Sequence, residues 1–287
     1  MKKSIYENKY WYMNTYKSLG YNWLIKSIEA LNPPNNYVFI NLSANAGYYE
    51  KDVYEKHLKQ YNPTYYIGDM ESSKLKDAKT DSFKNFYYID GDNNAITFDV
   101  SKIPNKADIL MDCKGALWHT LETPNKKQLI QLLENYAAMI NDSGVLLLDY
   151  YRINYLRFYY QNLKWSFKRY NKRPTYIDCF GETSTYYYLV NLYGRKTINT
   201  LLNPLNIKEQ IPYFPLSKIM DTAYISLDEL NKLIEITKNT PKWRFKFAKF
   251  KNLIKAILLS LFTIMVFLFI VCLLILDCIF IFRIITA

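Results

Sequence analysis

The residues of this chain that can do chemistry stand mostly just after short apolar runs. Runs of three to six residues rich in Tyr, Phe, Ile, Val and Leu read as buried strands. They end at Leu42, Ile67, Ile89, Met111 and Leu148, and the residues that follow the first four are Ser43 to Gly47, Asp69, Gly91-Asp92-Asn93 and Asp112-Cys113. A carboxylate accepts two hydrogen bonds at once, and Asp112 in that place can orient a substrate nucleophile. His119 follows the fourth run and is a candidate general base, because imidazole titrates near neutral pH. His57 falls inside a helical pattern and reads as a surface or packing residue. No metal is expected, since Asp112, His119 and Asp149 have no diagnostic ligand spacing. The four cysteines, Cys113, Cys179, Cys272 and Cys278, form no CxxC pair, which argues against a disulfide framework and for a reducing compartment.

The elements that must position these groups follow from the pattern. A helix is expected over about Lys9 to Leu31, ended by Pro33-Pro34 and Asn35-Asn36. Strands are expected at Tyr37–Leu42, Tyr65–Gly68, Phe86–Ile89, Ile109–Met111 and Val145–Leu148, with Met220–Leu227 as a last strand. Between the first two, Tyr49, Val53 and Leu58 give a helical pattern that ends near Asn62-Pro63. Thr123-Pro124 reads as a helix start, and Leu129, Leu132, Leu133, Tyr136, Ala137 and Ile140 form a 3.6-period stripe. Asp142-Ser143-Gly144 then reads as a turn, and a further helix is expected from Tyr186 to Leu202. Short buried strands alternating with helices make an α/β protein with a mostly parallel sheet covered on both faces. Such doubly wound, Rossmann-like sheets bind ligands at the carboxyl ends of their strands.

In order and spacing, the stretch from Tyr37 to Asp149 resembles the class I S-adenosylmethionine-dependent methyltransferases. The family's first strand ends in an acid and a turn of the form Asp/Glu-x-Gly-x-Gly-x-Gly. At the same spacing this chain reads Asn41-Leu42-Ser43-Ala44-Asn45-Ala46-Gly47, which keeps only the last glycine. Asp69, 22 positions after Gly47, matches the acid that takes the ribose hydroxyls. In Asp90-Gly91-Asp92-Asn93, the resemblance implies that Asp92 accepts from the adenine amino group and that Asn93 lies beside the ring. Asn41, Ser43, Asn45 and Gly47 would then line the cofactor with Asp69, Asp92 and Asn93. Asp112 and His119 would face the acceptor, and Tyr10-Trp11-Tyr12 would cover the cofactor. The implied cofactor is S-adenosylmethionine, and the methyl acceptor is unknown. If Ser43 and Asn45 instead abolish the turn, with Tyr48 or Tyr49 filling it, the chain is a catalytically inactive, membrane-bound interaction module. A nicotinamide-dependent oxidoreductase is disfavoured, because the turn lacks G-x-G-x-x-G.

The last part of the chain has a different character. Residues 256–276 carry no charge, and 21 helical residues span about 31 Å, close to the hydrocarbon thickness of a bilayer. Lys242, Arg244, Lys246, Lys249, Lys251 and Lys255 precede this run with no acid among them, and Trp243, Phe245, Phe247 and Phe250 are interleaved. Basic flanks stay cytoplasmic and favour anionic headgroups. The expected organisation is a methyltransferase-like domain at 1–241, a basic juxtamembrane segment at 242–255 and a transmembrane helix at 256–282. The lipid bilayer is then a partner, and the chain is a single-pass, tail-anchored membrane protein with a cytoplasmic body. No apolar leader follows Met1-Lys2-Lys3-Ser4. Of the net charge of +11, residues 242–287 supply +6, and the modest remainder gives no indication of nucleic-acid binding.

Overall fold

The computed structural model describes residues 23–44, 47–69, 85–89, 91, 93–113, 115–151, 185–205, 207, 209–211 and 218–254, with some helical residues between 261 and 276. The chain divides into two units, Met1–Arg152 with Thr183–Ala248, and Ile153–Glu182 with Lys249–Ala287.

The first unit is built on one sheet. Its strands are β1 (Val38–Asn41), β2 (Thr64–Ile67), β3 (Phe86–Tyr88), β4 (Ala107–Asp112), β5 (Ile140–Tyr151), β6 (Asn203–Pro204), β7 (Glu209–Ile211) and β8 (Lys218–Ser226). They lie in the order β3-β2-β1-β4-β5-β8-β6, with β7 also on β8. The first five strands are mutually parallel. β8 runs antiparallel to β5, and β6 and β7 run antiparallel to β8. The strand order turns back between β1 and β4, which is the place where a doubly wound sheet opens a ligand crevice.

Successive strand residues point to opposite faces, and here both faces are apolar. Ile40, Tyr66, Leu110, Leu146 and Leu148 join one buried cluster. Phe39, Tyr65, Ile67, Ile109, Met111 and Leu147 join the other. Helices α3 (Ala116–Glu122), α4 (Lys126–Met139), α5 (Thr185–Tyr193) and α7 (Leu227–Asn239) contribute to the first cluster, as does Ile198 of α6 (Arg195–Asn199). Helices α1 (Trp23–Leu31) and α2 (Tyr48–Val53) cover the second. The first cluster also takes Phe245 and Ala248, so the core of this unit extends into the basic segment.

Several local expectations change in detail. Of the leading helix, Trp23–Leu31 is described; its expected beginning and Tyr10-Trp11-Tyr12 lie outside the described residues. The helix after Gly47 winds on from α2 as a π turn, Tyr54–Leu58, and a 3-10 turn, Lys59–Tyr61. Helix α4 starts two residues later than Thr123-Pro124 would place it. Asn125 is its N-cap, accepting hydrogen bonds from the Lys127 and Gln128 amides, because its short amide reaches amides that would otherwise be unpaired. The helix expected over 186–202 is broken at Gly194 into α5 and α6. Asp142-Ser143-Gly144 is not a turn but part of β5, where the register against β4 shifts between Ala107 and Ile109. The glycine allows this: a Cβ on Gly144 would lie 2.4 Å from the Ala107 carbonyl oxygen.

Of the second unit, residues 249–254 are helical. So are Leu261, Ile264, Met265, Leu268, Phe269, Ile275 and Leu276, whose side chains are exposed. Among the described residues, no helix is long and apolar enough to cross a membrane. Most of the span expected at 256–282 lies outside the described residues.

Gly144→Ala should destabilise the chain by about 1–3 kcal/mol, the usual cost of overpacking against fixed backbone. Urea unfolding of the two proteins measures it, and an unchanged midpoint would refute the close approach of β4 and β5.

Candidate functional site: the crevice at the carboxyl ends of the strands

Strand β1 delivers Asn41 to the edge of the sheet, fully buried. Its side chain shapes the turn that follows. Asn41 Oδ1 accepts the Ser43 amide at 2.9 Å, and Asn41 Nδ2 donates to Glu50 Oε1 at 2.8 Å. The turn closes through the Gly47 amide, which donates to the Ala44 carbonyl at 2.8 Å. Gly47 has φ +67°, a left-handed conformation that disfavours any side chain. Helix α2 begins directly after it, and its Glu50 turns inward. Burial pushes the Glu50 carboxyl up to about 8, against the lowering effect of its own backbone amide and of Asn41, and Asp69 adds to the rise.

The next two loops are tied to this turn by backbone hydrogen bonds. The Ala44 amide donates to the Gly68 carbonyl at 3.1 Å, and the Asn93 amide donates to the Asp69 carbonyl at 3.3 Å. Asp69 is half-buried at the end of β2. Asn93 is fully buried, and its Nδ2 donates to the Ile89 and Gly91 carbonyls at 2.9 and 3.1 Å. It therefore fixes the loop after β3. Its Oδ1, like Glu50 Oε2, is buried without a hydrogen-bond partner among the described residues.

Strand β4 forms the other wall. Asp112 is buried, and its carboxylate accepts the Gly115 amide at 3.0 Å, the Leu117 amide at 2.9 Å and the Tyr136 hydroxyl. It anchors the start of α3 to β4 and to α4. Burial, with the Asp112 charge second, pushes the Tyr136 phenol well above its ordinary range. Ser43 reaches across from the β1 side, where its Oγ accepts the Ala116 amide at 3.2 Å. Gly115 leaves the room, since a Cβ there would meet Ser43 Oγ at 2.6 Å.

The structure thus brings Asn41, Ser43, Gly47, Asp69, Asn93 and Asp112 to one edge of the sheet. It gives Asn41, Asn93 and Asp112 internal bracing bonds. His119 is on the exposed side of α3, with its ring edge-on to the buried Trp118 at 4.9 Å. Trp118 in turn packs against Tyr188 of α5. Asn45 and Asp92 lie outside the described residues, as does the Tyr48 side chain. Tyr49 is buried under α1, where its hydroxyl accepts the Leu24 amide at 3.2 Å, so it is held on the α1 face of the sheet. Two residues that the sequence reading passed over matter here. Glu50 stands three and four positions before buried Val53 and Tyr54, a spacing that places an acid on an inward face. Tyr136 was legible only as one member of an apolar stripe.

Tyr136→Phe removes one of the bonds that hold a buried carboxylate, and should cost about 1–3 kcal/mol in urea unfolding. A change under about 0.5 kcal/mol would show that Asp112 does not depend on it.

Neither a protein-family model nor a curated protein matches the sequence. Solved structures do align with the chain. The N-methyltransferase NodS of Bradyrhizobium japonicum is 11% identical over 75% of this chain and 96% of its own, with a TM-score of 0.42. An S-adenosylmethionine-dependent methyltransferase of Clostridium acetobutylicum is 12% identical over 72% of this chain and 89% of its own, with a TM-score of 0.40. Human N-acetylserotonin methyltransferase, solved with S-adenosylmethionine, is 13% identical over 77% of this chain and 57% of its own, with a TM-score of 0.40.

Proposed function

We propose that this chain is an S-adenosylmethionine-dependent methyltransferase, held at a membrane by its C-terminal segment and acting on an acceptor at that membrane. The observation that carries the reading is the convergence of three loops on Asp69. The turn ending at left-handed Gly47, the Gly68-Asp69 pair and the Asn93 loop are tied by backbone hydrogen bonds at the strand edge where doubly wound sheets bind ligands. The donor set suits the cofactor. The half-buried Asp69 carboxylate can take two hydroxyls of a ribose. Asn93 keeps an acceptor oxygen without a hydrogen-bond partner among the described residues, and Asp92 stands one residue before it.

The cofactor supplies an electrophilic methyl group on a sulfonium. The chain's own task is to hold it, exclude water and align the acceptor, which needs no strong base. That lowers the demand on His119 and Asp112. His119 is left as a candidate for acceptor contact from the exposed side of α3, and Asp112 positions the α3 wall.

Anchoring is supported by the uncharged run 256–276, the exposed apolar side chains within it and the basic flank before it. The body then faces the cytoplasm.

The second reading, a non-catalytic membrane-bound module of the same fold, is favoured by the Ser43–Ala116 hydrogen bond, which joins the two walls of the crevice. Titration calorimetry of the detergent-solubilised chain separates the two. S-adenosylmethionine should bind and NADH should not. Asp69→Ala should weaken binding roughly 10- to 150-fold, the worth of hydrogen bonds to a charged group. Unchanged affinity in both Asp69→Ala and Asp92→Ala would refute the site, and no binding by the parent chain would leave the module reading. Resistance of the chain to alkaline extraction from membranes, and its release on truncation at residue 255, test the anchor.

A further inference from the structure

We propose that Glu50 acts as a neutral carboxylic acid that positions the turn after β1, holding Asn41 and, through it, the backbone at Ser43. The inference deepens the methyltransferase reading, in which that turn faces the cofactor, but its structural part does not depend on it.

The polarity of the hydrogen bonds carries the argument. A backbone N–H can only donate, so the Ser43 amide at 2.9 Å requires the Asn41 oxygen on its side. The Asn41 nitrogen must then face Glu50, where it donates at 2.8 Å. Glu50 is therefore the group that keeps the Asn41 amide from turning over. Were it absent, a buried N–H would lose its acceptor, and the bond to Ser43 would lose its restraint. The chain of contacts continues from the Ser43 hydroxyl to the Ala116 amide at the start of α3. Glu50 on one side of the crevice is thus connected to the opposite wall.

The surroundings favour the neutral form. Glu50 has no exposed surface, and its Oε2 has no hydrogen-bond partner among the described residues. A bare anionic oxygen in the core is far costlier than a bare neutral one. Among the described residues, the groups that face it offer no positive charge. From β1 comes the Asn41 amide, from β2 the Tyr65 phenol, and from the loop after β2 the Asp69 carboxylate, which repels an anion. Gly47 and Tyr88 stand together beside the start of α2. On α2 itself Lys51 and Asp52 are half exposed, and Asp52 pairs with Lys56 at 2.7 Å. On α1 Lys26 is half exposed and Glu29 exposed.

The sign of the pH effect follows. The folded carboxyl titrates at about 8, well above the ordinary carboxylate range. The folded state then holds a proton that the unfolded chain gives up. Its contribution to stability is fully present at about pH 4 and is lost as pH rises through about 8. Ionisation would place a second negative charge beside Asp69 and disturb the site at its rim.

Thermal unfolding of the full chain between pH 5 and 9 tests this with Glu50→Gln, Glu50→Ala and the parent. Glutamine is neutral at every pH and can accept from Asn41. The parent should lose melting temperature relative to Glu50→Gln across that range, by about 5 °C or more. Glu50→Ala should reduce hydrogen-exchange protection of the Ser43 amide at least tenfold at pH 6, while Glu50→Gln keeps it. If the alanine variant does not fold, the parent-to-glutamine comparison decides. Asn41→Asp should be destabilised at pH 8 by the paired acids, and Asn41→Asp with Glu50→Gln should recover, since the hydrogen bond survives with its donor and acceptor exchanged. Parallel melting curves for parent and Glu50→Gln at all pH values, or no recovery in the double variant, would overturn the proposal. For the bound state, S-adenosylmethionine affinity should fall several-fold between pH 7 and 9 in the parent and stay level in Glu50→Gln. The expected melting profiles without any binding would uphold the role of Glu50 and refute the methyltransferase reading instead.

Discussion

Where β1 and β4 lie side by side, their chains leave the sheet toward opposite faces, and the backbone amides freed there have no neighbouring strand to pair with. A buried amide without a partner costs a large part of a hydrogen bond. This chain meets the problem with side chains. Asn41 takes the Ser43 amide, Ser43 takes the Ala116 amide, and Asp112 takes those of Gly115 and Leu117. The two polar ends of that set are held from beneath, by Glu50 and by Tyr136. The crevice at the reversal is therefore a built feature with its own internal bonds rather than a gap left by diverging helices.

That arrangement explains how a turn with one glycine of three can keep its shape. A glycine-rich turn leaves room for a ligand and takes left-handed backbone at little cost. Among the described residues of the turn, the left-handed conformation falls on Gly47, the one glycine retained. The Ser43 side chain does not clash with the opposite wall, because Gly115 faces it. The lost freedom of the turn is matched by added hydrogen bonds. A more braced and more polar rim results, with Asp69 as its half-buried carboxylate.

Two apolar faces make this rim possible. Tyr65 and Tyr66, or Ile109 and Leu110, alternate between the two buried clusters, so each strand is held on both sides. Bulky aromatic packing is prominent on the α1–α2 face, where Phe39, Tyr65 and Phe86 stack in a row at 4.4 and 5.6 Å between ring centres. The same core reaches into the basic segment through Phe245 and Ala248. The sequence reading gave that segment to the membrane flank alone. Its basic residues pointed to lipid headgroups, and only the tertiary contacts show that Phe245 and Ala248 face inward.

The sequence alone determined the class of the fold. Short continuous apolar runs, spaced by helical stripes, admit few arrangements other than a parallel sheet with helices on each side. It also placed Asp69, Asp112 and the Asn41–Gly47 turn correctly at strand ends, because ligand-side residues in such a sheet follow directly from where each run stops. What it could not determine was the use of each polar group. Asp112 and Asn93 read as ligand or acceptor groups, yet they also brace the fold, Asp112 by accepting the Gly115 and Leu117 amides and the Tyr136 hydroxyl, and Asn93 by donating to the Ile89 and Gly91 carbonyls. Glu50 read as nothing in particular. Hydrogen-bond partnership depends on which loops meet at the edge: Ser43 reaches Ala116 because β1 lies beside β4, and Ala44 reaches Gly68 because β1 lies beside β2, in the order 3-2-1-4. Periodicity fixes the face a residue takes within its own element. The neighbour it finds across elements is set by strand order and register, which is a property of the folded chain.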